Sequence, residues 1–214
     1  MDDGNVGTPR PFNPLDKASL AKSLANALML AEPLPMPPER TPGAGVYAIF
    51  YNGGFAAYTL LAERDGGRSL YPIYVGKADP PGSRKGLTLE EGESSYALFQ
   101  RLRQHAKSIG EALNLELSDF SCRLLVVDAI WIPLAEAALI RRYQPLWNVV
   151  VDGFGNHDPG GKRKDGTISQ WDSLHPGRFW AKPHRQRVGL PEELPEKAKA
   201  HLDSFFKDHP PAIS

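Results

Sequence analysis

Arg101 and His105 stand four residues apart in YALFQRLRQHAKSIG, where Leu98, Leu102, Ala106 and Ile109 recur at helical spacing. Both flank the Leu98–Leu102 stripe, so one helix edge would carry a permanent cation beside an imidazole, a pair able to hold an anion and move a proton. The ordinary alternative is a solvated helix surface. Glu136 sits in PLAEAALIRRY, in line with Leu139, Ile140 and Tyr143. A carboxylate buried there without a partner is costly. An arginine neighbour would answer structurally, and a divalent metal functionally, since hard oxygen ligands suit magnesium. Tyr47 in GVYAIFY and Tyr74 in LYPIYVG occupy β-rich runs, the second followed closely by Gly76 and Lys77. Strand tyrosines ordinarily pack, and Asn148 in QPLWN ordinarily makes a turn.

These residues need elements to carry them. GVYAIFY (45–51), LYPIYVG (70–76) and FSCRLLVVDA (120–129) predict three strands, the last one buried. An acidic loop through Glu90, Glu91 and Glu93 leads to Ser94 or Ser95, either of which can cap a helix from about Tyr96 to Ile109. Pro133 opens a second core helix that runs to about Tyr143. Upstream, residues 1–12 read as a loose arm. Asn13 caps and Pro14 starts a helix with Leu20, Leu24 and Leu28 at spacing four, ending before Pro33. PLPMPPERTPGAG is a connector that cannot be helical. Beyond Val151 the pattern loosens, with a short helix expected near 191–207.

At 214 residues the chain suits one domain with arms. Zero formal net charge argues against holding nucleic acid by bulk charge. Charge is unevenly spread, however. Between Gly160 and Val188, Lys162, Arg163, Lys164, Arg178, Lys182, Arg185 and Arg187 face only Asp165 and Asp172, which makes the segment either a phosphate-contacting strip or a solvated loop. No uncharged apolar run approaches the ~18 residues of a membrane span, and the start lacks a signal peptide's basic and apolar regions, so the expectation is a cytoplasmic protein. Cys122, the lone cysteine, lies in an apolar run and is expected to pack in the core.

Taken in order, GVY, YVG with Lys77, Arg101 and His105 on one helix, Glu136 on the next and then Asn148 resemble the full GIY-YIG nuclease pattern. FNPLDKASLAKSLANAL, GAGVYAIFYNGGFAAY and PIYVGKA further resemble the Eco29kI-like restriction endonucleases, the subfamily that cuts the palindrome CCGCGG. The resemblance spans roughly residues 12–150. Valine replaces isoleucine in both triplets, a harmless change in a strand. The interval from Tyr47 to Tyr74 is also longer than in compact members.

The resemblance implies an α/β (α+β) nuclease core at 41–150, with a mainly antiparallel three-stranded sheet flanked by helices. An N-terminal helical arm (1–40) would precede it and a DNA-contacting extension (151–214) follow. Double-stranded DNA would be the substrate, with a homodimer matching the palindrome. The site would take one magnesium ion, manganese serving as a substitute, and no organic cofactor or membrane partner. In that reading Tyr47 takes a proton from water, directly or through His105, with Arg101 or Lys77 favouring the phenolate. Arg101 holds the scissile phosphate, Tyr74 orients phosphate or water, Glu136 holds the metal near the leaving 3′ oxygen, and Asn148 supports the site. Products would carry 5′ phosphates. The loop GNHDPGGKRK and the segment RFWAKPHRQR are the suspected base readers. Rival readings are a repair or homing nuclease, a binding module that has lost catalysis, and a protein-interaction domain.

Overall fold

A computed structural model describes residues 16–82, 95–156, 167–181 and 192–209. Helix α1 covers Lys17–Leu30 and is capped by Asp16, whose carboxylate accepts from the Ser19 amide at 2.9 Å. The start expected at Asn13 and Pro14 therefore moves: those two residues lie outside the described ones, and it is Asp16 that has a partner three residues on. The end before Pro33 is as expected. The proline-rich connector then contributes a two-residue strand, β1 (Leu34–Pro35), and β2 follows at Gly45–Tyr51.

A 3₁₀ turn at Ala56–Tyr58 and helix α2 (Thr59–Asp65) fill the interval between the two signature tyrosines. Asp65, buried at the helix end, accepts from the amides of Ser69, Leu70 and Tyr71 and so ties the turn that delivers strand β3 (Pro72–Ala78). Helix α3 is Ala97–Glu111, β4 Phe120–Val126, α4 Ile132–Tyr143 and α5 Leu146–Val149. Among the described residues two further helices follow, α6 (Gln170–Leu174) and α7 (Leu194–Asp208).

The sheet runs β1-β4-β2-β3 with every pairing antiparallel, one short strand more than the three expected. β1 is two residues of pairing against β4 and has no periodicity for a sequence reading to detect. Every residue of β2 is buried. Alternate side chains go to opposite faces, as a pleated strand requires. Val46, Ala48 and Phe50 join Ala25 and Leu28 of α1 and Ile132, Ala135 and Leu139 of α4 on one face. Tyr47, Ile49 and Tyr51 join Leu98 and Leu102 of α3 on the other, together with Trp147, Phe154, Trp171 and the apolar face of α7. The region after Val151 thus shares the core that holds the signature strands. The leucine stripe of α1 packs on its own domain, with Leu28 wholly buried.

Cys122 is buried as expected, and burial pushes its thiol up to about 12. Arg123, beside it on β4, turns the other way and donates to the carbonyls of Met29 and Ala31, which terminates α1 against the sheet. Among the described residues no helix is long and apolar enough to cross a membrane.

Candidate active site

Register sets the first part of the site. Tyr47 of β2 lies opposite Gly76 of β3, and Ile49 lies opposite Tyr74, so both tyrosines leave the same face of the sheet. Gly76 has no side chain for a physical reason: a Cβ there would run into the Tyr47 hydroxyl and ring and crowd Tyr74. The phenol is housed in the space that this glycine leaves.

Helix α3 supplies the groups behind and beside the tyrosines. The Tyr47 hydroxyl is 2.6 Å from His105 Nε2. His105 is itself 2% exposed and lies behind Tyr47, outside the cleft wall. One turn earlier, Arg101 reaches the wall and hydrogen-bonds with both tyrosine hydroxyls, while its Nη2 donates to the Gly155 carbonyl at 2.9 Å. The expected cation and imidazole therefore do share a site, in two layers.

Lys77 leaves β3 on the opposite face, towards α4, where its Nζ meets Glu136 Oε2 at 2.9 Å. The two faces meet at the outer edge of β3, in an open cleft lined by Tyr47, Tyr74, Lys77, Arg101 and Glu136 together with Asp79, Gln100 and Gln104. The partner that Glu136 required is a lysine in this structure, with both side chains partly exposed. Pairing with Glu136 in turn raises the Lys77 ammonium.

Asn148 does not line the cleft. Its Oδ1 accepts from the Val75 amide at 2.8 Å and its Nδ2 donates to the Val75 carbonyl at 2.9 Å, so one side chain satisfies both backbone groups of an edge-strand residue. It positions the strand that carries Tyr74 and Gly76.

Electrostatics correct one expectation. Nearby cations were to draw Tyr47 towards phenolate, but burial outweighs them: its pKa rises well above 10, with the proximity of Tyr74 adding to the rise and Arg101 opposing it. The Glu136 carboxylate adds a smaller upward push. Tyr74 is raised for the same leading reason. A pKa raised in this way leaves Tyr47 a phenol at neutral pH, with His105 Nε2 beside its hydroxyl.

The basic strip divides. Lys162, Arg163, Lys164, Lys182, Arg185 and Arg187 lie outside the described residues. Arg178 is described, and it is not a surface cation: 1% exposed, it forks onto Asp172 through Nε at 2.5 Å and Nη2 at 2.7 Å, stacked between Trp171 and Trp180. No phosphate can reach it in this arrangement. In the sequence, a buried arginine and its carboxylate look like any other charges in a loop.

Phe154 had no expected role, and Gly155, at the start of the suspected base-reading loop GNHDPGGKRK, serves the cleft instead. Phe154 is buried and stacks on the His105 ring at 4.5 Å and 19°, and Gly155 supplies the carbonyl for Arg101. A Cβ at Gly155 would sit 2.7 Å from the Tyr74 hydroxyl. The sequence hint was a phenylalanine between two glycines, which carries no periodic signal.

Compared with models of known protein families, residues 39–202 match the Eco29kI GIY-YIG domain. No curated protein matches the chain.

Proposed function

Because the chain belongs to the Eco29kI GIY-YIG domain family and is a DNA-acting nuclease of the restriction-endonuclease type, we propose that it cuts both strands of the palindrome CCGCGG by magnesium-dependent hydrolysis. The observation that carries this reading is the cleft itself. Two phenols, two cations and two carboxylates converge at one sheet edge, with an imidazole hydrogen-bonded behind the first phenol.

The donors suit one hard divalent ion. Glu136 and Asp79 are carboxylates in the wall of an open cleft. Among the described residues no cluster of three metal-binding side chains exists, so water and phosphate oxygens would complete the shell of an ion held by Glu136, as magnesium prefers. Such an ion would stabilise charge on the phosphoryl and leaving oxygens.

The protein's own groups supply the rest. Arg101 binds the scissile phosphate and Tyr74 orients it. Lys77 adds a second cation once Glu136 engages elsewhere. Water attacks phosphorus as the bond to the 3′ oxygen breaks. The water's proton passes to the Tyr47 oxygen while the Tyr47 proton passes to His105 Nε2, so neither a free phenolate nor a free hydroxide is required. The 3′ oxygen takes a proton from solvent, leaving a 5′ phosphate on the other fragment.

One cleft cuts one strand, so a two-fold homodimer matches a palindrome. Lys162, Arg163, Lys164, Lys182, Arg185 and Arg187 contact phosphates or guanine edges.

Digestion of a plasmid carrying one CCGCGG, with magnesium, wild type beside Glu136→Ala, and sequencing of the ends tests the proposal. A single cut at that site, lost in the variant, is expected. Cutting at another discrete sequence removes the proposed specificity. Scattered nicks would favour a repair-type nuclease, and salt-sensitive binding without cleavage an inactive module.

A further inference from the structure

Arg178 and Asp172 form a buried ion pair beneath the active-site loop. Besides the fork onto Asp172, Arg178 Nη1 donates to the Phe154 carbonyl at 3.1 Å and Nη2 to the Gly153 carbonyl at 2.9 Å. Asp172 is anchored in its turn by the Ser169 hydroxyl at 2.6 Å. Every strong polar contact of this guanidinium is thus either Asp172 or the backbone of two consecutive loop residues. Those residues lead directly to the groups that touch the site: the Phe154 ring stacks on His105, and the next carbonyl, Gly155, receives Arg101.

Gly153 has a φ of 102°, a conformation that L side chains rarely adopt, and a Cβ there would collide with Ser169. The loop is pressed onto α6, where the clamp is rooted. A planar donor fork with a fixed geometry suits this task, whereas a lysine ammonium has no second nitrogen for the two-point bond to Asp172 and sits on a flexible stem.

We propose that Arg178, charge-balanced by Asp172, is a positioning residue for cleavage: it fixes the Gly153–Gly155 backbone and thereby the orientation of His105 behind Tyr47 and of Arg101 in the cleft. The inference rests on the catalytic reading of those two side chains. It assigns a core role to a cation that the charge pattern alone leaves between a phosphate-contacting strip and a solvated loop.

Removing Arg178 alone would strand the Asp172 carboxylate in the core and unfold the chain, so the informative variant is Arg178→Met with Asp172→Leu. Replacing a buried pair by apolar residues commonly leaves a protein folded, while the two loop carbonyls lose their donor. Single-turnover cleavage with enzyme in saturating excess over plasmid, and DNA affinity by gel shift, are measured for this variant, for Arg178→Lys, and for Arg101→Ala and His105→Ala as references. Thermal melts confirm that each is folded.

The double variant is expected to bind within about threefold of wild type, with an unchanged salt dependence, and to cleave at least tenfold more slowly, since misplacement of about 1 Å can cost a hundredfold. Arg178→Lys should recover stability more than rate. A folded double variant that cleaves at the wild-type rate would overturn the inference, and so would a loss confined to affinity with a shallower salt slope, the mark of a phosphate contact. If Arg101→Ala and His105→Ala cleave normally, it is the catalytic reading that fails.

Discussion

Tyr47 concentrates the residue-scale chemistry. Its hydroxyl meets the imidazole and the arginine at the cleft, and burial raises its pKa. Tyr47→Phe removes the relay and little else, so single-turnover cleavage should fall by about a hundredfold or more while DNA affinity holds. Equal losses in both would show that the phenol only packs. Gly76→Ala tests the same point from the other strand. The added methyl must displace the phenol from its place beside Gly76, so the variant should bind DNA and cleave poorly, with a folded far-ultraviolet spectrum.

At the scale of elements, the site depends on how strand edges and helix ends are satisfied. Asn148 does for β3 what a neighbouring strand would have done. Asn148→Leu leaves a part-buried amide and carbonyl without partners, at about 1–3 kcal/mol for each group that water cannot reach. A lower urea midpoint and slower cleavage should appear together, whereas a stability loss with full activity would confine Asn148 to the fold. Asp16→Ala makes a contrast. Loss of the α1 cap should lower the denaturation midpoint at an unchanged cleavage rate, because α1 contributes no residue to the cleft wall.

For the whole molecule, a second buried polar network joins the sheet's helical layer to the C-terminal region. The Tyr58 hydroxyl accepts from Trp147 Nε1 at 2.9 Å and lies 2.6 Å from His175 Nε2, while His175 Nδ1 meets Asn114 at 2.9 Å. Burial, helped by the charge of Arg178, lowers His175 to about 3. An imidazole that stays neutral in the fold but charges when unfolded stabilises fully above about pH 6.5, and its contribution is lost as pH falls towards 3. The loss approaches about 1.4 kcal/mol per pH unit within that window. Urea denaturation at pH 7 and pH 5 should reveal this slope in wild type, and His175→Gln should flatten it. An identical slope in the variant would assign the acid sensitivity to other groups.

The sequence by itself determined the periodic and the local features. These were the three long strands, the helices α3 and α4, the buried cysteine, and the order of Tyr47, Tyr74, Arg101, His105, Glu136 and Asn148, because β-branched runs, helical stripes and ordered motifs are written within a few residues of one another. β3 and β4 came out displaced or shortened by two or three residues at their ends, where no local signal marks the last ladder bond. Only the tertiary structure decided the partners. It paired Lys77 with Glu136 across two elements, placed His105 behind Tyr47 instead of beside it, and sent Asn148 to a strand edge. It also turned Arg178 inward to hold a loop. A charge in a sequence has a sign but no partner, and whether it meets phosphate, metal or a buried carboxylate depends on which remote segments the packed core brings within a few ångströms of it.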